Sequence, residues 1–240
     1  MLPEQEQEIM RLRASNLTPK QIARKLGLRV AEVTAFVREK AHQQELVRAE
    51  SGVLDPVAEC WIDSDAAHAL FGIKPANNTD DVAPEIGGGL TTVLVVRATK
   101  YNRFLICTYL VDYWCLGLKN TIGPRKLDSL AYKHFVSTMY EAHSGEPQHI
   151  TLSQAQAVVF SALDYAERLG FKPHQDLAKT RPHLGEWDGQ HRIECGREGK
   201  PFYICGPRDN SAQIIKTLTQ NVGTGNFNYL VDVGSETRWF

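Results

Sequence analysis

Near the start of the chain the apolar residues fall at helical spacings, in short segments separated by clear breaks. Ile9, Met10 and Leu12 lie among charged residues over positions 4–14, a pattern that one helix with a single apolar side satisfies. Thr18-Pro19-Lys20-Gln21 then brings together an N-cap threonine, proline at the first helical position and glutamine three residues after the cap. Ile22, Ala23 and Leu26 predict a second helix that stops at Gly27, because only glycine takes positive φ cheaply. Val30, Val33, Phe36 and Val37 predict a third helix, which the polar stretch after it can extend to about Arg48.

Beyond position 50 the pattern becomes mixed. Gly52 and Pro56 mark a hinge, and residues 75–89 read as a long polar loop. A short helix is expected over 63–71. Residues 90–98 and 104–116 are rich in Val, Thr and aromatic side chains around a polar Lys100–Arg103 turn, which predicts a β-hairpin. Helices are expected over 128–141 and 153–169; the latter places Ala155, Val158, Val159, Ala162, Leu163 and Ala166 on one side before Gly170. Residues 192–195 and 201–205 predict a second hairpin, followed by a helix from Ser211 to about Val222 and a last strand over 227–233. Strands and helices that do not alternate strictly argue for an α+β fold. The expected organisation is a three-helix unit over 1–50, a linker over 51–59, and an α+β domain over 60–240 of about five antiparallel strands with helices on one face. Tyr-Leu-Val-Asp occurs at both 109–112 and 229–232, but no longer period surrounds it, so a duplication is rejected.

Composition narrows the partners. With 42% apolar and 23% charged residues, collagen-like, coiled-coil and disordered readings are excluded. A net charge of −1 means that nucleic-acid binding must come from a local patch. Such a patch exists, since between Arg11 and Lys40 eight basic residues face two acidic ones, giving +6. The opening decapeptide lacks the basic start and apolar core of a signal peptide, and no apolar run reaches the ~20 residues of a membrane span, so a cytoplasmic chain without membrane insertion is expected. Five scattered cysteines and no CxxC pair fit free thiols rather than disulfides or a zinc ribbon.

The run from Thr18 to Val37 resembles a helix-turn-helix unit of the tri-helical kind found in bacterial regulators and sigma factors. The small Ala23, the turn glycine Gly27 and the apolar Ile22, Leu26, Leu28, Val33 and Phe36 carry the likeness, over about a fifth of the chain. Arg29-Val30 departs from it, where a capping Ser or Thr is common. The resemblance implies double-stranded DNA as partner, with Lys20 and Lys25 on phosphate and Arg29, Ala31, Thr34, Ala35 and Arg38 toward bases. One such unit offers few contacts, which implies a homodimer on a specific site. Residues 109–121, 166–176 and 195–209 resemble an uncharacterised bacterial domain, which implies no activity.

In the larger domain Asp112 stands out as a carboxylate on an apolar strand, sharing a face with Leu110, Trp114 and Leu116. Backbone donors, an arginine or water at an edge would satisfy it. Alternatively, with Lys119, His174 and Asp176 it could hold a metal or perform acid–base work. Gly206-Pro-Arg-Asp209 precedes a helix and could hold an anion, or Asp209 could cap that helix. The leading expectation is a DNA-binding transcriptional regulator whose second domain senses a small molecule, dimerises or recruits a protein, with no cofactor and no resident metal. The rivals are an enzyme acting on nucleic acid, with Asp112, His174 and Asp176 as catalytic candidates, and a protein–protein adaptor.

Overall fold

A computed structural model describes residues 3–14, 17, 19–37, 40, 54–73, 88–143, 145–189, 191–233 and 236–239. The chain divides into two units, Met1–Leu54 and Asp55–Phe240. The first contains α1 (Pro3–Ala14), α2 (Pro19–Leu26) and α3 (residues 30–37). Their apolar sides meet in a small core of Ile9, Leu12, Ile22, Ala23 and Val33, with Leu17, Leu26, Leu28 and Phe36 packed around it. Between α2 and α3, Gly27 has φ +67° and the Leu28 amide donates to the Ala23 carbonyl at 2.9 Å. This six-to-one closure needs a left-handed residue, which explains the glycine. The expected extension of α3 to Arg48 lies outside the described residues, apart from Lys40.

The second unit is α+β. A five-stranded antiparallel sheet runs in the order β4-β3-β2-β1-β5, from β1 (Val57–Ile62), β2 (Leu90–Thr99), β3 (Arg103–Asp112), β4 (Gly117–Asp128) and β5 (Gln148–His149). One face carries Cys60, Ile62, Val93, Val95, Cys107, Tyr109 and Val111 into the main core. Helices α4 (Ser64–Phe71) and α6 (Leu152–Arg168) supply Ala66, Ala67, Ala155, Val158 and Val159 to that core. On the opposite face Leu94, Val96, Ile106 and Leu127 meet Tyr132, Phe135, Val136 and Met139 of α5 (Ser129–Tyr140). Helices therefore cover both faces rather than one. Strand β2 shows little apolar–polar alternation because both of its sides are covered.

Local signals account for most of the helix ends. Asp63, Asp128 and Thr151 cap α4, α5 and α6, and Thr151 forms a reciprocal capping box with Gln154. Gly117, at φ +69°, lets β4 begin against α6: a Cβ there would lie 2.6 Å from Ala166 Cβ. The strand expected over 104–116 in fact ends at Asp112, and residues 113–116 turn into β4, which the sequence pattern does not predict. Strand β1 starts at Val57, inside the stretch expected as linker. Helix α7 (Leu177–Leu184), with Pro182 inside it, likewise has no counterpart among the expected elements.

The second expected hairpin is replaced by a different connection. Residues 192–195 form no strand, and Arg197 and Lys200 make only an isolated bridge. Instead β6 (Phe202–Ile204) pairs in parallel with β7 (Asn228–Val233) through the crossover helix α8 (Ser211–Val222), and β8 (Glu236–Trp239) adds antiparallel to β7. The two Tyr-Leu-Val-Asp segments thus lie in strands of different sheets. Tyr203, Leu218, Phe227, Cys115 and Leu169 form the core under α8. None of the five cysteines forms a disulfide, and among the described residues no helix is long and apolar enough to cross a membrane.

Candidate functional site

The turn at Gly27 fixes which side chains of the first unit face solvent. Lys20, Arg24 and Lys25 are exposed on α2, as are Arg29 in the turn and Ala31 and Ala35 on α3. Burying Ile22, Ala23 and Val33 leaves these positions on the outside. Thr34 is half-buried, and its hydroxyl donates to the Val30 carbonyl at 2.7 Å. Arg38 lies outside the described residues. The Arg29 side chain is 83% exposed and donates to Glu32 three residues on. Exposed pairs of this kind contribute about 0–1 kcal/mol, so a phosphate or a guanine edge can displace Glu32. Lys20, Arg24, Lys25 and Arg29 are thus four exposed cations on this unit.

In the second unit the contacts of Asp112 and of the His174–Asp176 pair are local ones. Asp112 is 6% exposed, and its Oδ1 accepts from the Trp114 amide at 3.0 Å and the Cys115 amide at 2.9 Å. Its carboxylate thus organises the β3–β4 turn by accepting from that turn's backbone amides. Burial pushes its carboxyl up to about 6, against the pull of the Leu116 and Cys115 amides and the Lys119 charge. His174 and Asp176 do meet, at 3.9 Å, and the Asp176 amide donates to His174 Nδ1 at 3.2 Å. Lys179 completes that group by donating to Asp176 at 2.7 Å, and its hydrogen bond holds the Asp176 carboxyl below its usual value. Among the described residues no three of His, Cys, Asp and Glu are gathered so as to hold a metal.

Lys119 turns to a partner ninety positions away. Its ammonium donates to both oxygens of Asp209, at 2.8 and 3.0 Å, in a pair mostly shielded from solvent. Burial works to raise the Asp209 carboxyl, but the Lys119 bonds and the Gly206 amide outweigh it and hold the carboxyl below its usual value. The Tyr203 hydroxyl adds bonds to Ser211 Oγ at 3.0 Å and Asp209 at 3.4 Å, and Cys205 Sγ lies 2.9 Å from Ser211 Oγ. Asn210, not Asp209, caps α8 by accepting from the Gln213 amide. The cluster ties β4 to the β6–α8 loop, and nothing in the spacing of Lys119 and Asp209 announces it.

Two other buried polar pairs have no signal in the sequence. Arg97 donates to the His183 carbonyl at 2.9 Å and the Asp55 carbonyl at 2.7 Å, while His183 Nε2 lies 3.0 Å from the Val95 carbonyl. Tyr109 donates to the Thr180 carbonyl at 2.8 Å. Both couple α7 to the sheet. Comparison with family models, curated proteins and solved structures finds no match to this chain.

Proposed function

We propose that the first unit binds double-stranded DNA, and that the protein is a cytoplasmic, site-specific DNA-associated factor such as a transcriptional regulator. The second unit then serves ligand sensing, dimerisation or partner recruitment. The observation that carries this reading is the α2–Gly27–α3 arrangement. Two short helices are pinned over a buried core by a left-handed glycine, with Lys20, Arg24, Lys25 and Arg29 left outside. In the usual docking of such a unit, the start of α2 lies on the phosphates and the exposed side of α3 enters the major groove. One small unit makes few contacts, so two copies on a two-fold site account best for specific binding.

The test is selection of duplexes from a random pool by the full-length protein, followed by fluorescence anisotropy on the enriched sequence. Lys25→Glu with Arg29→Glu is expected to weaken binding by a factor of ten or more, on the order of 1.4 kcal/mol, and to flatten the salt dependence by about 0.9 per lost phosphate contact. Both residues are exposed, so circular dichroism should be unchanged. Failure to enrich any duplex, or an affinity untouched by the double reversal, sinks the proposal.

A further inference from the structure

The second unit contains a cavity of about 310 Å³ between α5 and the outer face of β2, β3 and β4. Its origin lies in the side chains. Phe135, Val136 and Met139 pack α5 onto the apolar part of that face, and the Tyr140 hydroxyl anchors the helix end to the Thr92 carbonyl at 2.9 Å. Thr92 and Thr108 are too short to fill the space beneath the helix, and Leu110, Ile122, Phe135 and Met139 wall it. Ile122 is 58% exposed at the rim, an apolar side chain with only part of its surface covered. No charged residue lines the cavity.

Thr108 supplies the polar signal. It is 7% exposed and lines the cavity, and its carbonyl accepts from Thr121, yet its own hydroxyl has no hydrogen-bond partner among the described residues. As part of the cavity wall, Thr108 can offer that hydroxyl to a bound molecule. Small-molecule sites share this composition: mostly apolar walls, a few hundred Å³, and a few placed polar groups. We propose that this cavity binds an uncharged, largely apolar molecule of one or two rings that carries a hydroxyl or carbonyl group to meet Thr108. The rings would lie between Phe135, Met139 and Leu110. Arg125 stacks on the Phe135 ring at 5.8 Å but does not line the cavity, so an anionic ring compound is the informative comparison.

The probe is 2-naphthol, with 2-naphthoate as its charged counterpart. The chain has three methionines, Met1, Met10 and Met139, so methyl labelling of methionine reads the site directly in the full-length protein. Addition of 2-naphthol is expected to shift the Met139 methyl resonance saturably, with 2-naphthoate at least tenfold weaker. Thr108→Val, equal in shape, should weaken 2-naphthol about tenfold, the size of one hydrogen bond. Thr138→Trp, at an exposed position of α5 on the cavity wall, should abolish binding without disturbing the fold. Absence of a saturable Met139 shift, equal affinity for both probes, or an affinity unchanged by either variant overturns the proposal. The readout lies in the second unit and uses no duplex, so it stands or falls separately from DNA binding.

Discussion

Replacing Asp112 by asparagine isolates the energetic consequence of placing a carboxyl in the β3–β4 turn. In the folded chain burial raises that carboxyl from 3.8 to about 6. The folded state therefore holds the proton more tightly than the unfolded state, and stability falls as pH rises across that interval. Below 3.8 both states are protonated and the group contributes nothing; above about 6 its full cost is present. At about 1.36 kcal/mol per pH unit, the cost is about 3 kcal/mol. An asparagine side chain keeps the Oδ1 acceptor for the Trp114 and Cys115 amides but does not ionise. The stability of Asp112→Asn relative to the parent should therefore grow by about 2–3 kcal/mol between about pH 4 and about pH 8. Urea unfolding followed by tryptophan fluorescence measures this in the relevant unit, since Trp61, Trp114, Trp187 and Trp239 all follow Leu54. A parent-to-variant difference that stays flat across the pH range refutes the account of Asp112 as a desolvated carboxyl.

His183 gives the opposite slope. It is 3% exposed, and burial lowers it from 6.5 to about 4, with the Val95 carbonyl acting against this and the Arg97 charge adding to it. The neutral ring contributes stability that is complete above 6.5 and lost as pH falls toward 4, about 3 kcal/mol in all. His183→Gln should flatten that acid limb in the same urea titration, and an unaltered limb would contradict it. Gly117→Ala should cost more than about 3 kcal/mol, because strain at positive φ adds to a clash with the α6 backbone. Gly199→Ala, also at positive φ but with nothing within 4 Å of its Cβ, should cost about 1 kcal/mol; equal losses in thermal melts would remove the packing argument.

Elements with strong local punctuation are legible in the sequence. Thr151, Gln154 and Gly170 bound α6, Asn210 and Gly223 bound α8, and Gly27 closes α2, all by chemistry confined to a few residues. Strand β4 is hidden because Asn120, Gly123-Pro124 and Lys126 read as a loop, and only pairing with β3 makes it a strand. The β6–β7 pair is masked for a related reason: Arg197–Lys200 has turn composition, whereas the true partner of β6 lies beyond α8. At the site level, strict alternation puts Asp112 in the middle of a strand, whereas it is the last residue of β3 and accepts from the amides of its own turn. Lys119 and Asp209, or Arg97 and His183, are joined by tertiary packing and leave no spacing in the sequence to detect. The exposed cations of α2 are readable because helical period alone decides which side of a short helix is outside.

The flanks of the five-stranded sheet bear on how copies of this chain can meet. At one flank β5 is two residues long; at the other, β4 shifts register twice against β3, contains Pro124 with no N–H to give, and presents the exposed Arg125 and Lys126. A foreign strand laid along β4 finds few aligned donors and acceptors to zip on. The five-stranded sheet is thereby guarded at its β4 flank against strand-by-strand polymerisation when crowded, and a twofold seam along that flank would have to use side chains rather than a shared ladder.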